Sequence, residues 1–351
     1  MGGSLGVALA TAVAAASNAA SSNWPHIDRD GFRLWPRCTF QSIKDDNIDQ
    51  FALTLLGGRV RNIAQTSCNQ WSKPAPGECA CAAPLSLLGN VTRADGARGA
   101  LPTGGTFVEI GANDGLHMSN SFFFERQLGW RGMCVEASPA TFRKLEANRP
   151  DCINVNALVG QPSAFNLTAE GEVAFMALAP AATGKEDVYS RRENAWESGI
   201  SGIASLNRHS ALKSEARAAK FAATLNKKYG RPKSGKDAVL AKKHMLKVRP
   251  FSELFATHGF KQIDFLSIDV EGAELQVLQS IDFRAVRVRL IAIESPTAQI
   301  RNLLHQQGFR NLRLNTLLGD SFFLHSSAAS THAEPNHFWR NLPRRRRGIM
   351  S

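Results

Sequence analysis

Between residues 107 and 120 the chain reads FVEIGANDGLHMSN. An apolar run ends in Glu109, and Gly111, Ala112, Asn113, Asp114 and Gly115 follow in quick succession. Glycines here allow a tight turn and close approach of a ligand to the backbone. They do not complete a dinucleotide fingerprint, because Asn113 and Leu116 stand where G-x-G-x-x-G requires glycine. Glu109 and Asp114 would repel a pyrophosphate at this turn. A cationic or polyhydroxylated ligand suits it better than a phosphorylated one.

A second acid, Glu136, ends the next apolar run, GMCVE. An acid at that place accepts both hydroxyls of a ribose. A nucleoside held without pyrophosphate and carrying a positive centre describes S-adenosylmethionine (SAM). A third pair, Asp269 and Glu271, ends the run in IDFLSIDVEGAE. A hydroxyl that receives a methyl group near neutral pH needs a general base or a metal ion. Asp269 and Glu271 are the best acids for that place. The competing reading puts Glu271 and Glu274 in the first turn of a helix, stabilised by its dipole. Asp269-x-Glu271 could also hold a divalent ion, but no histidine joins it at recognisable spacing, so no metal ligands are assigned. His117 and His244 are near enough in sequence to reach the mouth of such a site; for both, a solvated position is the commoner outcome.

These acids need elements to position them. From Thr106 onward, short apolar runs alternate with segments of helical period, which argues for βαβ units and a parallel sheet. The runs are 107–110, 132–136, 153–159, 263–270, 290–294, 309–314 and 321–324. Gly129 is placed to end the helix after the first run. Ser138 and Pro139 are placed to start the one after the second. In such sheets ligands bind outside the carboxyl ends of the strands, where Glu109, Glu136 and Asp269 fall.

The rhythm breaks between 160 and 249. There SAFNLTAEGEVAFMALA reads as a hairpin, and the stretch from Ala216 to His244 as a helix running into a basic loop. Residues 183–249 hold sixteen Lys/Arg against six Asp/Glu, which accounts for most of the formal net charge of +12. A solvated surface and an anion-facing role are both open for this excess. Trp196–Leu206 reads either as a lid over an acceptor or as a plain connection.

FVEIGANDG, GMCVEASP, INVNALVG and above all IDFLSIDVEGAELQVLQSI resemble the FkbM-type family of class I methyltransferases. The resemblance spans about 106–324, with 160–249 only loosely matched. It implies an α/β fold: a Rossmann-like, doubly wound, seven-stranded sheet, mostly parallel with an antiparallel last strand. It also implies SAM as cofactor and O-methylation of a carbohydrate or other natural-product hydroxyl. Carried onto this chain, Glu109, Gly111, Ala112, Asn113, Asp114 and Gly115 would line the methionine end and Glu136 the ribose. Asn156, after the third run, would meet the adenine edge. Glu109 departs from the family's commoner aspartate by one methylene.

The remaining sequence divides into residues 1–23, an uncharged Ala-rich segment, and 24–105, a Cys/Pro-rich extension with one helix expected around 48–63. The methyltransferase domain of 106–330 follows, and a basic tail of 331–351 closes the chain. The first apolar stretch is too short to span a bilayer. It suits a signal segment, with a transit peptide or an unstructured tail as alternatives. Six cysteines (Cys38, Cys68, Cys79, Cys81, Cys134, Cys152) and the sequons at Asn90 and Asn166 favour disulfides and the secretory pathway over an organellar or cytoplasmic site. The expected partner is a small-molecule or glycan acceptor, anionic if Lys242, Lys243 and Lys247 face it. Nucleic acid is the alternative, weakened by the lack of a stacking platform beyond Phe221 and Tyr229. A non-catalytic SAM-fold binding module is the other alternative, disfavoured by the retention of all three acids.

Overall fold

The computed structural model describes residues 104–116, 118–180, 199–228, 238–312 and 320–327, with short stretches at 52, 60–61, 91–93 and 98–99. Residues 1–23, the tail 331–351, Cys38, Cys68, Cys79, Cys81, Asn90, His117, Trp196 and Tyr229 lie outside the described residues. In the 24–105 extension, β1 (Val60–Arg61), β2 (Val91–Arg93) and β3 (Arg98–Gly99) pair antiparallel. Val60 and Arg61 are therefore extended rather than helical. Ala52 is helical, so the helix expected around 48–63 is present at 52 and absent at 60–61.

The main sheet holds β4 (Thr106–Ile110), β5 (Arg131–Glu136), β6 (Ile153–Asn156), β11 (Gln262–Ile268), β12 (Arg287–Ile293), β13 (Phe309–Asn311) and β14 (Ser321–His325). Their order is β13-β14-β12-β11-β4-β5-β6. All neighbours pair parallel except β14, which runs antiparallel to both β12 and β13. This is the doubly wound, seven-stranded Rossmann-like sheet with its antiparallel last strand.

Period-two alternation explains its burial on both faces. Phe107 joins one apolar cluster with Phe124, Trp130, Phe265 and Phe322. Val108 and Ile110 join the other with Met133, Val135, Ile268 and Ile291. Helices cover these faces: α1 (Phe122–Leu128), α2 (Pro139–Asn148), α4 (Phe251–His258), α5 (Glu274–Gln279) and α6 (Ala298–Gln306), while α3 (Glu215–Lys228) belongs to the insertion. Gly129 ends α1 in the left-handed region at φ 63°, and Ser138 caps α2 by accepting from the Thr141 amide, with Pro139 in the first turn. Cys134 on β5 and Cys152 before β6 form a buried disulfide that ties two neighbouring strands together.

The insertion differs from the expected hairpin and basic loop. β7 (Leu158–Val159), β8 (Glu172–Pro180), β9 (Gly202–Ile203) and β10 (Val239–Arg249) form a second sheet in the order β7-β10-β8-β9. β8 pairs antiparallel with β10 along nine residues, Val239 opposite Pro180 through Lys247 opposite Glu172. Both strands need partners because β8 is apolar on both faces. Val173, Phe175 and Ala177 enter one cluster and Met176 and Leu178 another. Lysines at exposed positions made β10 read as a loop. Helix α3 forms where expected and lays Ala218, Ala222 and Leu225 on Met176, Leu178 and Val239. The apolar run 153–159 splits at Ala157: β6 stays in the main sheet, whereas β7 crosses to the second. That crossing brings the second sheet to the carboxyl ends of the first.

Candidate functional site

Where the two sheets meet there is a cavity of about 290 Å³. One end is built from the turns after β4 and β5. Gly111 sits at φ +86°, and a Cβ there would lie 1.8 Å from the Asp269 carbonyl oxygen. Only glycine lets the turns after β4 and β11 touch backbone to backbone. The Gly111 and Ala112 amides both donate to the Val135 carbonyl at 2.9 Å, which aims the turn across β5.

Glu136 joins the two turns. One carboxylate oxygen accepts from the Asn113 amide at 3.0 Å and the other from the Ser138 amide at 2.7 Å. Burial pushes its pKa up to about 7, against the pull of those two amides. Gly111, Ala112, Asn113 and Glu136 all reach the cavity wall.

The other expected cofactor residues act beneath that wall. Glu109 accepts from the Asn120 amide at 2.6 Å and from the hydroxyls of Ser119 (2.8 Å) and Ser121 (2.6 Å). The Arg149 guanidinium lies 3.8 Å away, has no exposed surface, and binds Glu125, the Gly115 carbonyl, Ser119 and Ser121. Burial raises the pKa of Glu109 although Arg149 and the serines oppose it. Glu109 thus holds the segment that carries Met118 and Asn120 to the wall. Asp114 accepts from the Leu116 amide at 3.0 Å, and a Cβ at Gly115 would strike Leu145 and Arg149. Asn156 is also off the wall. Its amide donates to the carbonyls of Glu136 (2.7 Å) and Ala137 (3.2 Å), fixing the backbone that presents Glu136, while Ala157 and Leu158 line the cavity.

The far end is a crowd of carboxyls: Asp269, Glu271, Glu294 and Asp320. Burial, then the charges of Glu294, Glu271 and Asp320, hold Asp269 well above the usual carboxylate range. Burial and Glu294 push Glu271 up to about 8. Helix α5 starts only at Glu274, so Glu271 stands outside it. Glu274 instead accepts from the Val270 and Gly272 amides and stabilises the turn that presents Glu271. Asp269, Glu271 and Glu294 each offer an oxygen within 4.8 Å of the others, a spacing at which a divalent ion could be held.

The insertion completes this end. Gly272 packs so closely that a Cβ would lie 2.2 Å from the Leu206 carbonyl oxygen. The Arg208 amide donates to the Glu271 carbonyl at 3.1 Å, and its guanidinium pairs with Glu274 and Glu294. His209 Nε2 lies 3.4 Å from Glu271 Oε2, on a ring that keeps 41% of its surface exposed. Burial lowers the pKa of His209. Phe175 of β8 and Ile203 of β9 supply an apolar wall. Among the described residues, the non-glycine residues at positive φ are Asn113, Met118, Glu271 and Ser295. The first three line the cavity and the last follows Glu294, as expected where backbone strain is concentrated at a working site.

Arg208, His209, Glu294 and Asp320 were not anticipated. Glu294 ends an apolar run just as Glu109, Glu136 and Asp269 do, so the same signal identifies it. Arg208 and His209 lie in the insertion, where no periodicity pointed to the cavity. His244 stands opposite Phe175 in the second sheet but does not line the cavity. Lys242, Lys243 and Lys247 are exposed on β10, and among the described residues no lysine or arginine lines the cavity. The charged groups of the described lining are carboxyls, Glu136, Asp269, Glu271, Glu294 and Asp320, together with His209.

No curated protein and no solved structure gives a significant match to the chain. Residues 109–311, more than half of it, match the Methyltransferase FkbM domain, a span that starts at Glu109 and takes in the whole insertion. The glycine turn against β11, the acid after β5 and the seven-stranded order all agree with that match: the chain belongs to the FkbM family of class I SAM-dependent methyltransferases.

Proposed function

We propose that the protein methylates a hydroxyl of an uncharged carbohydrate or similar polyhydroxylated small molecule. The observation that carries this reading is the cavity's polarity from end to end. Glu136 and the glycine turn stand at one end, and Glu271 with His209 stands at the other, beside the apolar surface of Phe175 and Ile203. When bound, SAM supplies the electrophilic methyl group. Glu136 would accept the ribose hydroxyls, and Gly111 leaves room for the ligand against the backbone. Methyl transfer is an in-line displacement, so positioning supplies much of the catalysis. The rest is removal of the acceptor's proton. Glu271, with a pKa of about 8, is poised near the working pH of a general base. A proton taken at Glu271 Oε2 can pass to His209 Nε2 at 3.4 Å and leave through its half-exposed ring. Asp269 and Glu294 face the same reacting space, where burial and its acidic neighbours favour the protonated form of Asp269.

The buried Cys134–Cys152 bridge and the exposed sequon at Asn166 support an oxidising compartment of the secretory pathway. The decisive experiment offers methyl-labelled SAM with fractionated neutral glycans, acidic glycans, lipids and RNA. Label should enter a neutral hydroxylated fraction, and Glu271→Gln should abolish it. Label in RNA alone, or undiminished labelling by Glu271→Gln, would overturn the reading.

A further inference from the structure

Among the described residues of the insertion no lysine or arginine lines the cavity, and a group of them sits on α3, where they have another role. This helix has fourteen residues, hence a length of about 21 Å. Its inner face is committed: Ala218, Ala222 and Leu225 pack on the second sheet, and the Asn226 side chain bonds the backbone of Val239 through both its amide nitrogen and its oxygen. On the outer face Arg217, Lys220 and Lys227 are exposed at i, i+3 and i+10, with Lys213 just before the helix. Between Arg217 and Lys227 the other exposed positions are small: Ala219, Ala223 and Thr224.

A solvated helix face ordinarily interleaves acids with bases, because i,i+4 pairs of opposite sign stabilise it and like charges three or four apart destabilise it. Here the one acid of the helix is Glu215, at its first residue and 3.7 Å from Lys243 of β10. No acid among the described residues pairs with Lys213, Arg217, Lys220 or Lys227. The result is a row of cations on a low ridge that an extended anionic chain can approach closely.

We propose that the outer face of α3 is a docking surface for a sulfated or carboxylated polysaccharide, separate from the methyl-transfer cavity. Three observations select this partner. An interfacial membrane helix needs its apolar face for lipid, and that of α3 is occupied by the sheet. Single-stranded nucleic acid is held by aromatic stacking, and Phe221, the helix's only aromatic residue, packs against the inner cluster. Lysines act as point charges rather than bidentate forks, which suits anionic groups spaced along a flexible polymer. The crowd of carboxyls in the cavity fits this division, since the polyanion is attracted to α3 and repelled from the reacting end.

The test titrates the full chain with a fluorescein-labelled heparin dodecasaccharide at about 0.15 M salt. The triple variant Arg217→Glu/Lys220→Glu/Lys227→Glu is compared with Arg143→Glu/Lys261→Glu/Arg284→Glu, which makes the same change in net charge at exposed sites elsewhere. Losing three counterion-releasing contacts should weaken binding about a hundredfold in the first variant and shallow its salt dependence by nearly three in log–log slope. The second variant should stay within about threefold of wild type, as screened, distant charges do. Equal losses in both would show a mere net-charge effect and overturn the proposal, as would failure of wild type to bind. Displacement of the dodecasaccharide by duplex RNA that binds more tightly would overturn the choice of partner. Melting temperature and SAM titration of each variant separate this result from unfolding and from the methyl-transfer reading, because neither should change.

Discussion

The affinity for SAM should fall about tenfold between pH 8 and pH 6, and one carboxyl should account for it. Glu136 is buried, its pKa is pushed up to about 7, and its two oxygens already accept the Asn113 and Ser138 amides. Ribose hydroxyls donate best to the ionised form, so below this pKa a proton competes with the ligand. For a single competing proton the apparent dissociation constant scales as one plus the ratio of protonated to ionised carboxyl. That factor is about 11 at pH 6 and close to 1 at pH 8. Glu136→Gln preserves shape and loses the charge, and hydrogen bonds to a charged group are worth roughly 1.5–3 kcal/mol. The variant should bind about a hundredfold more weakly at pH 8, and its affinity should be nearly independent of pH through this window. Isothermal titration of SAM and of S-adenosylhomocysteine at half-unit steps of pH measures both. The ligands' own ionisations cancel when wild type and variant are compared at each pH. If the two proteins share one pH profile, or if Glu136→Gln binds as tightly as wild type, the ribose role for Glu136 is refuted.

Three further outcomes follow from the same geometry. Arg149→Met should cost about 3–5 kcal/mol of stability, because it leaves the buried Glu109 without its cation and Glu125 with only the longer contact to Arg126 at 3.7 Å; urea unfolding measures it, and a loss under about 1 kcal/mol would mean that the network is not holding the turn. Gly111→Ala should abolish SAM binding in whatever protein folds, since its Cβ would lie 1.8 Å from the Asp269 carbonyl oxygen; near-normal affinity by titration would show that the β4 and β11 turns separate easily. Glu271 carries a folded-state pKa of about 8 against an ordinary 4.5, so its protonation stabilises the fold fully below about pH 4.5 and that contribution is lost as pH rises through about 8. The melting temperature should therefore fall from pH 6 to pH 9 and fall less in Glu271→Gln, while methyl transfer by that variant drops about 10²–10⁴-fold.

The parts of the site legible in sequence were those with a local signal. Glu136, Asp269 and Glu271 end apolar runs, and in a parallel sheet that position alone brings them to one edge. The same logic reaches Glu109 but mistakes its depth. A strand-end acid reads alike whether it faces a ligand or turns inward, and what turns Glu109 inward is Arg149, forty residues on and fully buried. Asn156 and Gly115 show the same limit, since their partners, the Glu136 and Ala137 carbonyls and the Leu145 and Arg149 side chains, come from other elements. The second sheet was hidden for a different reason. Strand β10 carries its lysines at exposed positions, so composition announced a loop while only the pairing with β8 announces a strand.

That pairing has a consequence for how the reacting end is assembled. Four carboxyls converge there, and bringing them together is costly unless cations or protons offset the repulsion. Arg208 offsets part of it through Glu274 and Glu294, and the raised pKa values of Asp269 and Glu271 show protons offsetting more. Arg208 and His209 are held over the acids by the segment leaving β9, whose place is set by β8 and β10. The insertion is thus required to make the acidic end habitable, while the main sheet alone suffices to build the glycine turn and Glu136. Damage to the β8–β10 pairing should therefore impair methyl transfer far more than SAM affinity. A proline at Ala177 or Lys242 that weakened both equally would show that the two ends are not separable.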